Sequence, residues 1–382
     1  MNKLGLSNTV ENVKPSASLA VAQRAIELAR EGRDIVNLSI GEPDFDVPSP
    51  IKDGLYQALD NNNTHYTESQ GVLELREEIA ENIGHDVNAD QLILCSGCKL
   101  GLYLTLEAVV NPGDEVILLE PAWVSYSHMI TMTGGKSVNV QTKEENNFLP
   151  TIDEIKAKIN DNTKAILVNN PNNPSGQLMP KETLDQIVEL AKENDMWIIS
   201  DEIYSDILYD KDSFYSMLNY DYEKIIMNSG FSKNFAMTGL RLGYIVAANK
   251  EIAKSINKLH QHIGTCAPSV SQYSLIGNIK KAQDDVKEMV KVYERRKNLL
   301  VEGLKDAVDF ITPQATFYML INISQLDMKS FDASQHILEE LGVATVPGIG
   351  FGESLDDYVR ISFATSDDVL KKAIERFQEL SK

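Results

Sequence analysis

The chain has 382 residues, a formal net charge of −20, and hydrophobic and charged fractions of 43% and 24%. That is enough chain for a sizeable buried core in one large α/β domain or two domains, and too apolar a composition for a disordered polymer. The acidity argues against nucleic acid as the main ligand, since phosphate contacts need a basic face, but a local cationic pocket can sit inside an acidic shell.

The first 18 residues lack a long apolar run and a signal-cleavage pattern, and no later stretch approaches the roughly 18–20 apolar residues of a membrane helix. The expectation is a soluble cytoplasmic protein with neither a membrane nor a nucleic-acid partner. A helix is predicted over Ala17–Glu31, with Gly32 as its C-cap candidate. Short apolar runs then recur, each ending in a small or polar turn and followed by a helical pattern. They cover Gln91–Cys95 (followed by a helix over Leu100–Val110), Val116–Leu119, Ala165–Val168, Trp197–Ile199, Ile225–Met227 and Tyr244–Ala247. Lys181–Glu193 is an amphipathic helix, with Leu184, Ile187, Val188, Leu190 and Ala191 on one side.

Continuous apolar strands alternating with helices predict an α/β fold, with a large domain whose mostly parallel sheet is sandwiched by helices. From about Gln283 the pattern changes. A long amphipathic helix carries Val286, Met289, Val290, Tyr293, Leu300 and Leu304. A strand over Thr316–Ile323, a helix ending at Leu341-Gly342 and strands at Val343–Val346 and Tyr358–Phe363 follow. This predicts a smaller α+β domain formed by 1–47 and 284–382, beside a large domain over 48–283. The N-terminal helix is expected to pack with the smaller one.

Three cysteines, Cys95, Cys98 and Cys266, are too few and too odd for a disulfide framework. The single C-x-x-C lacks the second pair or the histidines of a zinc site, so no metal is expected. His260 and His262, near a helix end, read as surface residues. Gly348-Ile-Gly-Phe-Gly opens no helix, and Gly135-Lys136-Ser137 has Ile130 where a P-loop needs its first glycine.

The chemistry-bearing residues sit where the predicted strands end. Lys233 follows a buried strand in a stretch otherwise poor in charge; alone it reads either as a lysine snorkelling from a loop or as a Schiff-base lysine. Asp201 ends the Trp197 strand, with Tyr204 three residues on, and a buried carboxylate there needs a cationic partner such as a protonated pyridine nitrogen. Arg241 offers a fork suited to phosphate, and Gly97-Cys98-Lys99 opens a helix whose free amides suit one too. An arginine in the apolar strand VRISF, Arg360, calls for a bound anion.

Ser232–Tyr244, SKNFAMTGLRLGY, resembles the lysine motif of class I pyridoxal-phosphate aminotransferases, S-K-x-x-x-x-x-G-x-R-x-G-Y. NNPNNPSG (169–176), SDEIY (200–204), LSIGEPDF (38–45) and VRISFAT (359–365) resemble other motifs of that family, in order, across about residues 15–377. The resemblance implies a fold type I enzyme with pyridoxal 5'-phosphate on Lys233, which would also shuttle the proton between substrate and cofactor. Asp201 would pair with the pyridine nitrogen, and Tyr204 and Asn173 with the ring oxygen. Trp123, otherwise a core tryptophan, would lie against the ring. Gly97, Cys98, Lys99, Ser232 and Arg241 would cradle the phosphate. Tyr66 would reach the phosphate of a neighbouring subunit, making the active sites shared across a homodimer. Arg360 would grip the substrate α-carboxylate, completed by Asn173 and the backbone of Gly41. Three positions depart from the family pattern: Gly230 lacks a hydroxyl that some relatives use, Ala315 replaces a usual Gly, and Cys98 a usual Gly, Ala or Ser.

Pro15-Ser16-Ala17-Ser18, Asp44-Phe45-Asp46 and Lys99 resemble the bacterial aspartate aminotransferases, which implies L-aspartate and 2-oxoglutarate as substrates. Aromatic, methionine, prephenate or diaminopimelate aminotransferases share the core motifs, as does a pyridoxal-phosphate C–S lyase. A ligand sensor on the same scaffold would be expected to carry a further DNA-binding segment.

Overall fold

The computed structural model describes residue 5, residues 7–13 and residues 17–381. Pro15 and Ser16 of the substrate resemblance lie outside the described residues. Strand β1 is Val36–Asn37. Strands β2 (Leu92–Cys95), β3 (Glu115–Leu119), β4 (Lys136–Val140), β5 (Thr163–Asn169), β6 (Trp197–Asp201), β7 (Ile225–Gly230) and β8 (Gly243–Ala247) form a sheet in the order β2-β8-β7-β6-β5-β3-β4. Only β8 runs against its neighbours; the other strands share one direction.

Successive side chains of a strand face opposite sides of the sheet. Val116, Leu118, Leu167, Ile199 and Ile226 therefore share one face with Leu102, Leu106 and Ile256 of the helices Cys98–Val109 and Lys250–Ile263. Ile117, Ile166, Ile198 and Ile225 share the other with Leu184, Ile187 and Val188 of the helix Lys181–Glu193. Two covered faces are why these strands are apolar throughout and legible as runs. The edge strand β4, KSVNV, leaves Lys136 and Asn139 exposed, so it has no apolar run and no signal in the sequence.

Strands β9 (Phe310–Ile311), β10 (Tyr318–Asn322), β11 (Val343–Ala344), β12 (Val346–Pro347) and β13 (Tyr358–Ser362) build the remainder. The antiparallel sheet is ordered β12-β13-β10-β9, while β11 pairs in parallel with β1. The single strand expected over Val343–Val346 is thus two, because the chain changes partners at the buried Thr345. The long helix is Ile279–Leu304, 26 residues, and its buried stripe includes Val286, Tyr293 and Leu300. It begins after the left-handed Gly277 (φ +70) and runs unbroken across residue 283, where the change of pattern was expected. Val21, Ala25 and Leu28 of the helix Ala17–Arg30 pack on Leu338 and Ala344, as anticipated, and Gly32 (φ +89) closes that helix.

His260 is not on the surface. It is fully buried, with Nδ1 2.9 Å from the carbonyl of Ser69. Its helix buries Ala253, Ile256 and His260 on one stripe, and a loop distant in sequence meets one ring nitrogen while Nε2 stays without a partner, which spacing alone does not reveal. His262 is exposed as expected. Among the described residues no helix is long and apolar enough to cross a membrane.

The helix Ser49–Asp60 crosses Ser269–Leu275 at Gly54, where an added Cβ would lie 2.4 Å from the Ser274 carbonyl oxygen. Alanine gains up to about 1 kcal/mol of helix propensity over glycine. Overpacking against backbone costs about 1–3 kcal/mol, so the clash should win. Gly54→Ala is expected to lower the denaturation midpoint; an unchanged or raised midpoint would show that the helices do not approach this closely.

Candidate active site

The carboxyl ends of β5, β6 and β7 open on a cavity of about 590 Å³, the usual place for ligands in such sheets. Its opposite wall comes from the antiparallel sheet, through Tyr318 of β10 and Arg360 of β13. Gly41, Cys98, Lys99, Trp123 and Asn173 line it, as do Asp201, Tyr204, Ser232, Lys233 and Arg241. Residues scattered over the sequence are thereby brought to one place.

Asp201 is the last residue of β6, in register with Asn169 and Asn228 of the flanking strands. It is 3% exposed. Its Oδ2 accepts from the Tyr126 hydroxyl at 2.6 Å, and Oδ1 accepts from the Ile203 amide at 3.1 Å and the Cys98 thiol at 3.7 Å. Burial holds the carboxyl pKa above its ordinary value, and those donors together with the charge of Lys233 limit the rise without cancelling it. The helix expected from Leu100 begins at Cys98, so Cys98 and Lys99 occupy its first turn, where backbone amides have no partner within the helix.

Lys233 Nζ donates to the Gly41 carbonyl at 2.6 Å and lies 5.9 Å from the centre of the Tyr204 ring. The Tyr204 and Tyr318 hydroxyls are 2.9 Å apart, and Tyr318 also donates to the Gly41 carbonyl at 3.3 Å. Arg360 is 6% exposed and stacked between the rings of Tyr318 (4.3 Å) and Phe351 (5.1 Å). It donates to Asn173 Oδ1 at 3.2 Å and the Ser39 carbonyl at 3.1 Å, while its buried Nε has no partner. Desolvation lowers its pKa. Among the described residues no carboxylate pairs with it, so the guanidinium is a buried cation prepared for an external anion.

A second cluster of cationic groups, Lys99 and Arg241, lies at the start of the Cys98–Val109 helix. Gly97 caps it with φ +86, and a Cβ there would meet Arg241 Nη2 at 2.6 Å. Arg241 itself donates to the Thr238 carbonyl at 2.8 Å. Lys99 rests over the Trp123 ring at 4.6 Å, and its pKa is lowered by burial, then by Arg241 and Lys233. Ser232 is buried nearby in the loop after β7. Tyr66 does not join this cavity; it is 87% exposed on the loop after the helix Ser49–Asp60.

Of the three departures from the family pattern, Gly230 has a steric reason. A Cβ on Gly230 would lie 2.8 Å from Gly243 Cα, so a hydroxyl-bearing residue does not fit between β7 and β8. Ala315 is buried, bridges to Leu208 and donates its amide to the Gly176 carbonyl at 2.9 Å. Asp44 does not face the cavity lining; it forms a two-pronged ion pair with Arg296, 2.9 Å at each oxygen. Residues that sequence reasoning did not single out are Tyr126, Tyr318, Phe351 and Asn169. Tyr126 stands three residues after Trp123, across the turn that opens the helix Ser125–Met132, and packs edge-on against it at 5.3 Å, a turn spacing that was there to be read. Tyr318 carried no such signal, because its place beside Arg360 depends on the pairing of β10 with β13.

The model of the family described as aminotransferase class I and II matches residues 33–377. The chain is 39% identical to the aspartate/prephenate aminotransferase of Thermus thermophilus and 36% identical to the aspartate aminotransferase of Thermotoga maritima, in each case over 98% of both chains. The solved structure of Thermus thermophilus aspartate aminotransferase with maleate is similar at a TM-score of 0.93 and 38% identity, covering 98% of this chain and 99% of that one.

Next to Asp201, Glu202 is buried and, among the described residues, forms no ion pair with a cation. Its carboxylate accepts from Ser200 Oγ (2.9 Å), Ser216 Oγ (2.7 Å) and the Met217 amide (2.9 Å), and burial raises its pKa to about 7. Between the ordinary value of 4.5 and about 7, the folded chain holds a proton that the unfolded chain releases. Stability therefore falls as pH rises through that window, by at most about 1.4 kcal/mol per unit. Glu202→Gln should flatten this slope when denaturation midpoints are compared from about pH 5 to about pH 8; parallel profiles would mean that Glu202 ionises as freely folded as unfolded.

Proposed function

The chain belongs to the class I and II aminotransferases, and from that premise we propose that it moves the amino group of L-aspartate to 2-oxoglutarate, using pyridoxal 5'-phosphate held on Lys233. The observation that carries the reading is one cavity lined by the amine of Lys233, a buried carboxylate and a buried unpaired guanidinium.

The residues fit the cofactor. Asp201 is a desolvated anion in want of a cation, which a protonated ring nitrogen supplies. Lys99, Arg241, Ser232 and the first-turn amides beyond Gly97 and Cys98 suit a phosphate. Trp123 offers a face for the ring, and Tyr204 and Asn173 offer donors for its oxygen. When bound, pyridoxal phosphate supplies a carbonyl that accepts the amino group and a cationic ring that draws charge away from the substrate α-carbon.

Lys233 would hold the cofactor through its amine and, with that amine free, would take up and return the proton of the substrate α-carbon. Its contact with the Gly41 carbonyl keeps the amine within the cavity. Arg360, with its plane set by two aromatic faces, grips the substrate α-carboxylate bidentately, while Asn173 and the Gly41 backbone border the same place. Lys99 reads the distal carboxylate; parked on Trp123 with a lowered proton affinity, it gains more from an incoming anion than a solvated lysine does.

The proposal includes a homodimer in which the exposed Tyr66 reaches the partner's phosphate site. It also includes a cytoplasmic location, which suits three free thiols. With a large unit over 48–283 and a smaller one over 1–47 and 284–382, Gly41 and Arg360 would hold the substrate from one side and Lys233 and Asp201 act from the other.

The visible absorption spectrum of the purified protein tests this directly. A band of lysine-bound pyridoxal phosphate should be present and be converted to the pyridoxamine form by L-aspartate or L-glutamate. Conversion by aromatic or sulfur amino acids alone would remove the aspartate assignment, and no band even after added pyridoxal phosphate would remove the Lys233 reading. Lys99→Met is expected to raise KM about tenfold for dicarboxylic substrates only, the loss of one charge-assisted contact. An equal loss for every substrate would refute its selective role.

A further inference from the structure

Cys98 contributes more than a backbone amide to the site. Its side chain is buried, and its sulfur lies 3.7 Å from Asp201 Oδ1. A carboxylate oxygen can only accept, so the thiol is the donor. Burial first, and the neighbouring Asp201 charge second, push the thiol pKa well above its ordinary value, so the sulfur keeps its proton. With the Ile203 amide on Oδ1 and the Tyr126 hydroxyl on Oδ2, the carboxylate has three donors from three segments of the chain.

Those donors bear on where a proton rests. Opposite a pyridine nitrogen, a buried carboxylate can remain an anion beside a protonated ring or take the proton and leave the ring neutral. Desolvation favours the neutral pair, whereas each hydrogen bond to the carboxylate favours the charged one. We propose that Cys98 is a positioning residue for Asp201, whose thiol fixes the rotation of the carboxylate and keeps the shared proton on the ring nitrogen of the cofactor. This rests on the reading that pyridoxal phosphate binds in this cavity.

The other titratable groups around Asp201 do not replace the thiol. The Lys233 amine donates to Gly41, the Tyr204 hydroxyl meets Tyr318, and the Glu202 carboxyl is held by Ser200 and Ser216. Cys95, at the other end of the C-x-x-C, has its sulfur 3.5 Å from the Gly97 carbonyl. Among the described residues, Cys98, Tyr126 and Ile203 alone donate to the Asp201 side chain.

Two spectroscopic readouts on the purified full chain test the proposal. The S–H stretch of Cys98, isolated in the infrared by subtracting the spectrum of Cys98→Ala, should lie below that of a non-bonded thiol. It should move up in Asp201→Asn, where a neutral amide replaces the carboxylate. A band at the free-thiol position overturns the proposal, and this reading of the parent chain decides the point even if Asp201→Asn does not fold. In the second, the chain is loaded with pyridoxal phosphate carrying ¹⁵N in the ring. Cys98→Ala should shift the ring resonance toward unprotonated pyridine, a loss of about threefold to tenfold in the ratio of charged to neutral pair. An unchanged resonance overturns the positioning role. If the parent chain binds no labelled cofactor, the proposed function fails and the ring-nitrogen part falls with it, while the infrared band still decides whether the thiol donates.

Discussion

Asp201 ends a central strand with its carboxylate removed from water, and an anion so placed persists only if its surroundings supply donors or positive charge. Tyr126 comes from the segment after β3, Cys98 from the helix after β2, and the Ile203 amide from the turn after β6 itself. Each donor depends on a different crossover of the sheet. Misplacing any of these loops leaves a buried charge with fewer partners, so the architecture around the strand ends is tied to the ionisation of one side chain.

Arg360 poses the same problem with the opposite sign, in the middle of β13. Its guanidinium is stacked by Tyr318 and Phe351 and bonded to Asn173 and Ser39, with Nε left without a partner. The Tyr318 hydroxyl links onward to Tyr204 and to the Gly41 carbonyl, which also receives Lys233. One polar chain thus joins the N-terminal segment, the antiparallel sheet and the loop after β7. Two buried charges of opposite sign on two sheets, Asp201 and Arg360, line one cavity with the Lys233 amine, an arrangement suited to a ligand that carries both a cationic ring and carboxylates. Holding these groups on strands rather than on long loops limits how far each can drift.

Close backbone approach shapes the corner where Lys99 and Arg241 meet the start of the Cys98–Val109 helix. A Cβ on Gly243 would sit 2.4 Å from the Cys98 amide nitrogen, and one on Gly97 would displace Arg241. Small residues at these points let the helix start press against β8 while Arg241 folds over it. The same contact between β7 and β8 leaves no room for a hydroxyl at Gly230, so the corner leans on Lys99, Ser232 and Arg241.

The two-sided strands, the amphipathic helix Lys181–Glu193, the switch to a second kind of sheet and the set of polar residues at strand ends were all legible in the sequence. Local periodicity and motif spacing encode them directly: an apolar run is buried whatever packs on it, and a turn residue stands where its strand stops. The edge strand β4, the split of β11 from β12, the burial of His260 and the role of Tyr318 were not legible. β4 has no apolar run, β11 and β12 differ only in their partners, and His260 is held through Nδ1 by Ser69, 191 residues away. Tyr318 reaches Arg360 only through the register of β10 on β13. The sequence by itself determined which residues carry charge and, to within a few residues, where the buried strands of the large sheet lie. The tertiary structure alone decided which charges share a cavity and which donors meet them, because those contacts join segments whose spacing along the chain carries no information about distance in space.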